Sequence, residues 1–306
     1  MGTPDFAVAS LDALLSAGFH IVAVVTAPDK PSGRGQKLSE SAVKQYAVQK
    51  GLPVLQPEKL KAPEFLEKLK SFQAELQVVV AFRMLPEVVW NMPAMGTVNL
   101  HGSLLPQYRG AAPINWAVIN GETVTGVTTF LLQQEIDTGN ILMTDEVEIG
   151  AEETAGELHD KLMTVGAALL VKTIKALEQG DYEEKSQDTI SGSNPDGDTG
   201  LKHAPKLFKE DCKLDWNLPA QDVFNKIRGL SPYPAAFTIF QDKTMKIFKA
   251  ELQLTEPAIS PSGFLSDGKT YLKFACKDGF INLLEIQLEG KKRMGIEEFL
   301  RGVRLG

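Results

Sequence analysis

Apolar and polar positions over the first 150 residues switch between two periods. Short β-branched runs at residues 20–26, 77–81 and 97–100 predict strands, and residues 39–50 and 62–72 are long enough to be helical crossovers between them. Alternating strand and helix imply an α/β domain with a largely parallel, doubly wound sheet, in which ligands bind at the C-terminal ends of the strands. Residues 124–132 and 140–149 read as a closing pair of strands. A long helix follows, with Leu158, Leu162, Val165 and Leu169 on one face, and it closes the domain near Gly180. The expected division is therefore 1–180 for this domain, 181–205 for a linker and 206–306 for a second domain. The linker carries the polar run Ser191-Gly192-Ser193-Asn194-Pro195-Asp196-Gly197-Asp198, which has little to bury. The second domain opens with a helix over Ala220–Leu230 and a Pro232-Tyr233-Pro234 break, then continues as short strands expected to form a small β-barrel.

Composition changes this picture little, but charge does. The net charge of −7 hides an asymmetry: residues 1–205 hold 16 Lys/Arg against 26 Asp/Glu, a net −10, while residues 206–306 hold 16 against 13, a net +3. A polyanionic partner would lean on the C-terminal third. Cys212 and Cys276 are far apart and lack metal-ligand spacing, so both read as reduced structural thiols and no metal is expected. No apolar run approaches the roughly 20 residues that span a bilayer, which gives the expectation of a cytoplasmic protein with no membrane partner.

The chemistry concentrates in Val98-Asn99-Leu100-His101-Gly102-Ser103-Leu104-Leu105-Pro106, where an apolar strand gains two polar side chains at its C-terminal end. Strand side chains alternate, so Asn99 and His101 share one face and Val98 and Leu100 the other. An amide and an imidazole suit acyl transfer to an amine, which needs a donor for the developing oxyanion and a group that handles a proton. From spacing alone the pair reads more simply as a loop-satisfying amide and a core histidine. Asp137, in Gln134-Glu135-Ile136-Asp137-Thr138-Gly139, likewise fits an Asx turn. Gly33-x-Gly35 lacks the third glycine of a dinucleotide fingerprint, since Leu38 takes its place. His20, His159 and His203 read as structural.

Longer strings narrow the choice. Asn-x-His-Gly-Ser-Leu-Leu-Pro, then Tyr108-Arg109-Gly110-Ala111-Ala112-Pro113, then Asp-Thr-Gly, resembles the folate-dependent formyltransferases. Gly2-Thr3-Pro4-Asp5-Phe6, Gly33-Arg34-Gly35-Gln36-Lys37-Leu38, Gly51-Leu52-Pro53-Val54 and Ala204-Pro205-Lys206-Leu207 resemble the methionyl-tRNA branch in particular. The resemblance implies a Rossmann-like catalytic domain, a linker and an OB-like barrel. It implies formyl transfer from 10-formyltetrahydrofolate to initiator methionyl-tRNA, with Asn99, His101 and Asp137 catalytic and Ser103, Leu104, Leu105 and Pro106 against the folate. It also places Arg34 and Lys37 at the tRNA acceptor arm. Lys206, Lys246, Lys291, Lys292 and Arg293 are the further basic residues expected at RNA, and the chain is expected to act as a monomer. The nearest rival is a sugar-nucleotide formyltransferase with the same chemistry; a non-catalytic folate- or RNA-binding relative is the alternative of another class.

Two local departures stand out. The family usually shows Tyr-Gly after its third apolar strand, whereas this chain has Phe82-Arg83. Thr3, with Pro4 and Asp5 behind it, is expected to N-cap a helix through Leu11, Leu14 and Leu15, and no strand precedes that helix, so the natural protein is expected to carry a further strand before Met1.

Overall fold

The computed structural model describes residues 1–32, 37–190 and 200–303. The chain folds as two compact units, neither of them contiguous. The first comprises Met1–Arg109, Gly126–Val147 and Asp160–Lys202, and the second Gly110–Thr125, Glu148–His159 and His203–Gly306.

In the first unit, β1 (Val24–Val25) pairs in parallel with β2 (Val54–Leu55), and β3 (Gln77–Val80) pairs in parallel with β4 (Thr97–His101). Between the two ladders lie the first residues of the chain: Gly2 N–H donates to Val25 O at 3.0 Å, Val80 N–H donates to Met1 O at 2.9 Å, and Gly2 forms a parallel bridge with Val80. The parallel run ends at β4, because β5 (Val124–Leu131) pairs with it antiparallel, and β6 (Ile141–Glu148) lies beyond β5. The connecting helices are α1 (Asp5–Ser16), α2 (Ala42–Gln49) and α3 (Pro63–Ser71). Ser41 caps α2 by accepting from Lys44 N at 3.1 Å, and Pro63 opens α3 where its missing N–H costs nothing.

Thr3 is not the cap of α1. That position belongs to Pro4, in extended backbone, with no side-chain cap. The reason is upstream: Gly2 is held in sheet geometry by Val25 and Val80, so the chain is still extended at Thr3 and turns helical only at Asp5.

The long helix α4 (Ala155–Gln179) buries Leu158, Leu162, Leu170, Thr173, Ile174 and Leu177, with Val165 only half-buried. Its apolar stripe follows the 3.6-residue period, and Gly166 is the point of closest approach to the sheet: a Cβ there would stand 3.0 Å from Leu100 Cδ2 and 3.4 Å from Val127 Cγ1. Thr129 on β5 and Thr173 on α4 share a buried 2.8 Å hydroxyl contact. Within residues 181–205, which the sequence marks as connection, a short helix forms at Gln187–Ile190 and Lys185 bridges to Ile141.

The second unit is built on α5 (Ala220–Leu230) and an antiparallel sheet. Its strand order is β7 (Ala236–Phe240), β8 (Lys243–Gln253), β11 (Phe280–Leu288), β10 (Leu272–Ala275), β9 (Phe264–Ser266), with β12 (Met294–Gly295) pairing on β11 and leading into α6 (Ile296–Arg301). The expected barrel is a curled half-barrel: among the described residues the end strands β7 and β9 share no backbone ladder, and an edge-to-face contact between Phe240 and Phe264, centroids 5.4 Å apart, joins them. Stacked Trp216 and Phe274, centroids 4.7 Å apart, fill the hollow with Met245, Ile247, Ile281 and Leu283. The helix Pro113–Ile119 joins this unit because it packs on α5. A Cβ on Gly229 would lie 2.5 Å from Ile119 Cγ1, and Asn115 Nδ2 donates to Gly229 O at 2.7 Å.

Candidate functional site

The chemistry-bearing strand is β4, an interior strand between β3 and β5. Val98 and Leu100 are buried in the core, while Asn99 and His101 share the opposite face at the C-terminal end. That placement follows from the sequence alternation. Asn99 is half-buried, and no hydrogen bond within the described residues engages its side-chain amide. His101 is 7% exposed, with a protein group facing each ring nitrogen. Its Nε2 lies 2.9 Å from Tyr108 O, and since a carbonyl oxygen only accepts, Nε2 carries a hydrogen. Its Nδ1 faces Asp137 Oδ2 at 3.8 Å, too long for a hydrogen bond but close enough for a charged ring to feel the carboxylate.

Asp137 reaches His101 from the turn between β5 and β6. The turn expected from the sequence is present: Asp137 sits in left-handed backbone at φ 56°, a conformation Asp tolerates better than most residues, and Thr138 Oγ1 donates to Glu135 O at 3.1 Å. What the sequence left open is where the carboxylate points. Gly139 follows so closely on β5 that a Cβ there would be 1.6 Å from Leu131 O. The turn is therefore pressed against the strand that flanks β4, and Asp137 is brought to the imidazole.

The segment Ser103-Leu104-Leu105-Pro106 continues from β4 and is clasped by β5. Thr128 Oγ1 donates to Ser103 O at 2.7 Å and accepts from Leu105 N at 3.1 Å. Ser103 Oγ donates to Gln107 O at 2.7 Å, and Leu105 packs with Phe130 and Ile141. Ser103, Leu105 and Pro106 are buried and Leu104 is half-buried, so a ligand at this segment would meet backbone and Leu104 before the other three side chains. Leu104 in turn lies over Gly126, where a Cβ would come within 2.5 Å of Leu104 Cδ2.

The basic residues fall into distinct surroundings. Arg34 lies outside the described residues. Lys37 opens the strand Lys37–Ser39, which pairs antiparallel with Lys30–Ser32. Flanking that pair in sequence, Lys44 Nζ contacts Asp29 Oδ2 at 2.5 Å and Glu40 Oε1 at 2.8 Å. Hydrogen bonds from Lys44 and Gln56 hold the Asp29 carboxyl below its usual range. In the second unit, Lys206 Nζ lies 5.4 Å from the ring centroid of Phe208, whose ring is exposed. Lys246 sits on β8 between the buried Met245 and Ile247 and is half-buried. Lys291 and Lys292 are exposed, with Lys292 Nζ 3.8 Å from Glu298 Oε1. Arg293 differs: its guanidinium contacts Glu285 Oε2 at 2.5 Å and stacks 4.2 Å above the Phe248 ring, so it is already partnered within the fold. Arg83, the departure from the family string, turns its guanidinium to the loop after β2, donating to Glu58 O at 2.9 Å and to Pro57 O.

Three residues at this site escape sequence reasoning. Tyr108 supplies a backbone carbonyl from one of the family strings, where its role is not legible, and Thr128 a hydroxyl from a strand that reads as structural. Gln187, 1% exposed, donates to the backbone of the Asp137 turn from the segment expected to be linker. No periodicity or motif marks it. Among the described residues, no group of three or more His, Cys, Asp or Glu side chains is gathered closely enough to hold a metal ion, and no helix is long and apolar enough to cross a membrane.

Comparison with known proteins agrees with the two-part architecture. The family model described as Formyl transferase matches residues 1–174, and that described as Formyl transferase, C-terminal domain, matches residues 206–304. A methionyl-tRNA formyltransferase of Bacteroides fragilis is 50% identical over 310 residues, covering 100% of this chain and 94% of its own. One from Parabacteroides distasonis is 53% identical over 310 residues, covering 99% and 94%. Among solved structures, the N-formyltransferase from Helicobacter canadensis, in complex with folinic acid and dTDP-3-aminofucose, superposes with a TM-score of 0.65 at 22% identity over 96% of this chain and 97% of that one. At that identity the likeness is one of fold.

Proposed function

The chain belongs to the formyl transferase family, and from that premise we propose that it moves the formyl group of 10-formyltetrahydrofolate onto the α-amine of initiator methionyl-tRNA. The observation that carries the reading is the convergence of Asn99, His101 and Asp137 at the end of β4. The full-length identity to methionyl-tRNA formyltransferases favours a tRNA acceptor over an amino-sugar nucleotide, since the sugar enzymes match in fold at far lower identity. The residues fit the donor: Asn99 offers a half-buried amide with no partner among the described residues, beside a segment whose backbone and Leu104 are presented to a ligand. 10-Formyltetrahydrofolate supplies an activated formyl carbon, which carries an electrophilic carbonyl.

The chain's own groups then divide the work. Asn99 Nδ2 donates to the carbonyl oxygen as it gains negative charge. Because His101 Nε2–H is held by Tyr108 O, the ring nitrogen that faces the reaction is Nδ1, which donates to the same oxygen when the imidazole is protonated. Asp137, its carboxylate 3.8 Å from Nδ1, sets a negative charge facing that side of the ring. All three side chains come from one unit, consistent with a single chain sufficing for catalysis. The division 1–180, 181–205 and 206–306 then assigns chemistry to the first part and RNA backbone to the last, in the cytoplasm where charged tRNA is used. The test is transfer of labelled formyl from 10-formyltetrahydrofolate to methionyl-tRNA, with elongator methionyl-tRNA and an amino-sugar nucleotide as control acceptors. Transfer only to the sugar, or to no acceptor, would sink the reading.

The proposed RNA contacts are graded by how engaged each cation already is. Neutralising Lys291 and Lys292 together is expected to weaken tRNA use and to lessen the slope of log K against log salt by about one to two, at roughly 0.7 to 0.9 for each phosphate that the protein no longer neutralises. Arg34→Ala and Lys37→Ala should act in the same direction, and Lys206 and Lys246 are the further positions to neutralise. Arg293→Ala, which first breaks the Glu285 and Phe248 contacts, should change stability more than slope. Folate binding should be untouched throughout. An unchanged slope in the double lysine variant would remove that corner of the half-barrel from the RNA surface.

A further inference from the structure

Gln187 plays no part in the mechanism above, yet its side chain is 1% exposed. It stands on the short helix Gln187–Ile190, 50 residues beyond Asp137 and 78 beyond Arg109. Its Nε2 donates to Asp137 O at 2.8 Å and to Gly139 O at 2.7 Å. Its Oε1 accepts from Arg109 Nε at 3.0 Å and from Arg109 Nη2 at 2.7 Å. Both amide hydrogens and both lone pairs are thus in use, the full capacity of the group.

The partners explain why this matters. His101 is held by two contacts, Tyr108 O on Nε2 and the Asp137 carboxylate facing Nδ1. They come from separate segments, and both contact residues sit in left-handed backbone, Tyr108 at φ 61° and Asp137 at φ 56°. Such conformations persist only where the surroundings over-determine them. Gln187 fixes the carbonyl of Asp137 itself and, through Arg109, the residue that follows Tyr108. We infer that Gln187 is a positioning residue, a clamp that ties the Asp137 turn and the Tyr108-Arg109 segment into one frame around the His101 ring. It rests on the reading that His101 and Asp137 carry the transfer, where a displacement of about 1 Å is enough to cost on the order of 10²-fold in rate.

Two variants separate the arms of the clamp. Gln187→Glu keeps acceptors for Arg109 but loses both hydrogens that hold the turn, and Gln187→Met keeps much of the volume and loses both arms. Each is expected to fold, as judged by a cooperative thermal melt, and to lower kcat by on the order of 10-fold to 10²-fold while KM for either substrate changes little. In an Asp137→Asn background, Gln187→Glu, which loses only the arm to the turn, should cost less than about 3-fold more, because that arm acts through a carboxylate already gone. Full kcat in either folded variant overturns the assignment, as does a loss that is simply additive to that of Asp137→Asn. Loss of folding in both would make Gln187 a structural residue and overturn it too. If the unaltered protein transfers no formyl group, the functional reading fails, but the clamp is still read by NMR. The His101 ring proton resonance, assigned by its loss in His101→Ala, should move in chemical shift in Gln187→Met as the ring loses its frame, with the other histidine resonances in place. An unchanged His101 resonance in that folded variant overturns the clamp independently.

Discussion

His101→Ala and Asp137→Asn are each expected to lower turnover by on the order of 10²-fold or more, the usual cost of removing an oxyanion-stabilising or proton-handling group. The two changes reach the same rate loss by different routes. Asp137→Asn keeps the shape of the side chain, and Asn is as tolerant of φ 56° as Asp, so the turn and its Gln187 contacts survive and only the negative charge facing Nδ1 disappears. His101→Ala removes the ring and the one hydrogen bond that its Nε2 gives Tyr108 O, a loss of about 0.5–1.5 kcal/mol against a typical total of about 5–15 kcal/mol. Both proteins should therefore remain folded at moderate temperature. Steady-state rates at saturating donor and acceptor check the assignment, and a variant with near-normal kcat would strip that residue of its role.

Gly139→Ala is the change expected to damage stability and rate together. The added Cβ meets Leu131 O at 1.6 Å and Phe130 Cδ2 at 3.0 Å, and the first of these is backbone that cannot rotate aside. Either the Leu131 N to Asn140 O hydrogen bond at 3.1 Å opens or the turn lifts from β5. Overpacking of this severity costs about 3 kcal/mol, the upper part of the usual range, and a lifted turn withdraws Asp137 from His101 by enough to cost about 10²-fold in turnover. Gly180→Ala is the matched control. Gly180 has positive φ but no atom within 4 Å of an added Cβ, so a loss of about 1 kcal/mol with unchanged kcat is expected there. Denaturant melts and rates of both variants decide the matter: equal effects at the two glycines would show that the contact with β5 is not what makes Gly139 necessary.

Local pattern carried much of this architecture. The alternation of β-branched runs with amphipathic stretches located β3, β4, β5, β6 and the α2, α3 and α4 helices to within a few residues, because strand and helix periods are properties of consecutive residues. The polar pair at the end of β4 was legible for the same reason, and the long motif strings added the family. Tertiary contacts overrode local signals where backbone pairing intervened. Thr3 has the chemistry of a cap but lies one residue after a glycine already bonded into the sheet, and among the described residues the end strands of the C-terminal sheet meet through Phe240 and Phe264 side chains and not through a backbone ladder.

What the sequence alone determined was the set of elements, the face on which Asn99 and His101 stand, and the turn that holds Asp137. Only the tertiary structure decided the direction of the Asp137 carboxylate, the tying of His101 Nε2 to Tyr108 O, the partnering of Arg293 by Glu285, and the burial of Gln187 beneath the turn. The physical reason is common to all four. Each depends on how separate segments of backbone are placed against one another, and a contact of that kind leaves no period, cap or composition in the residues around it.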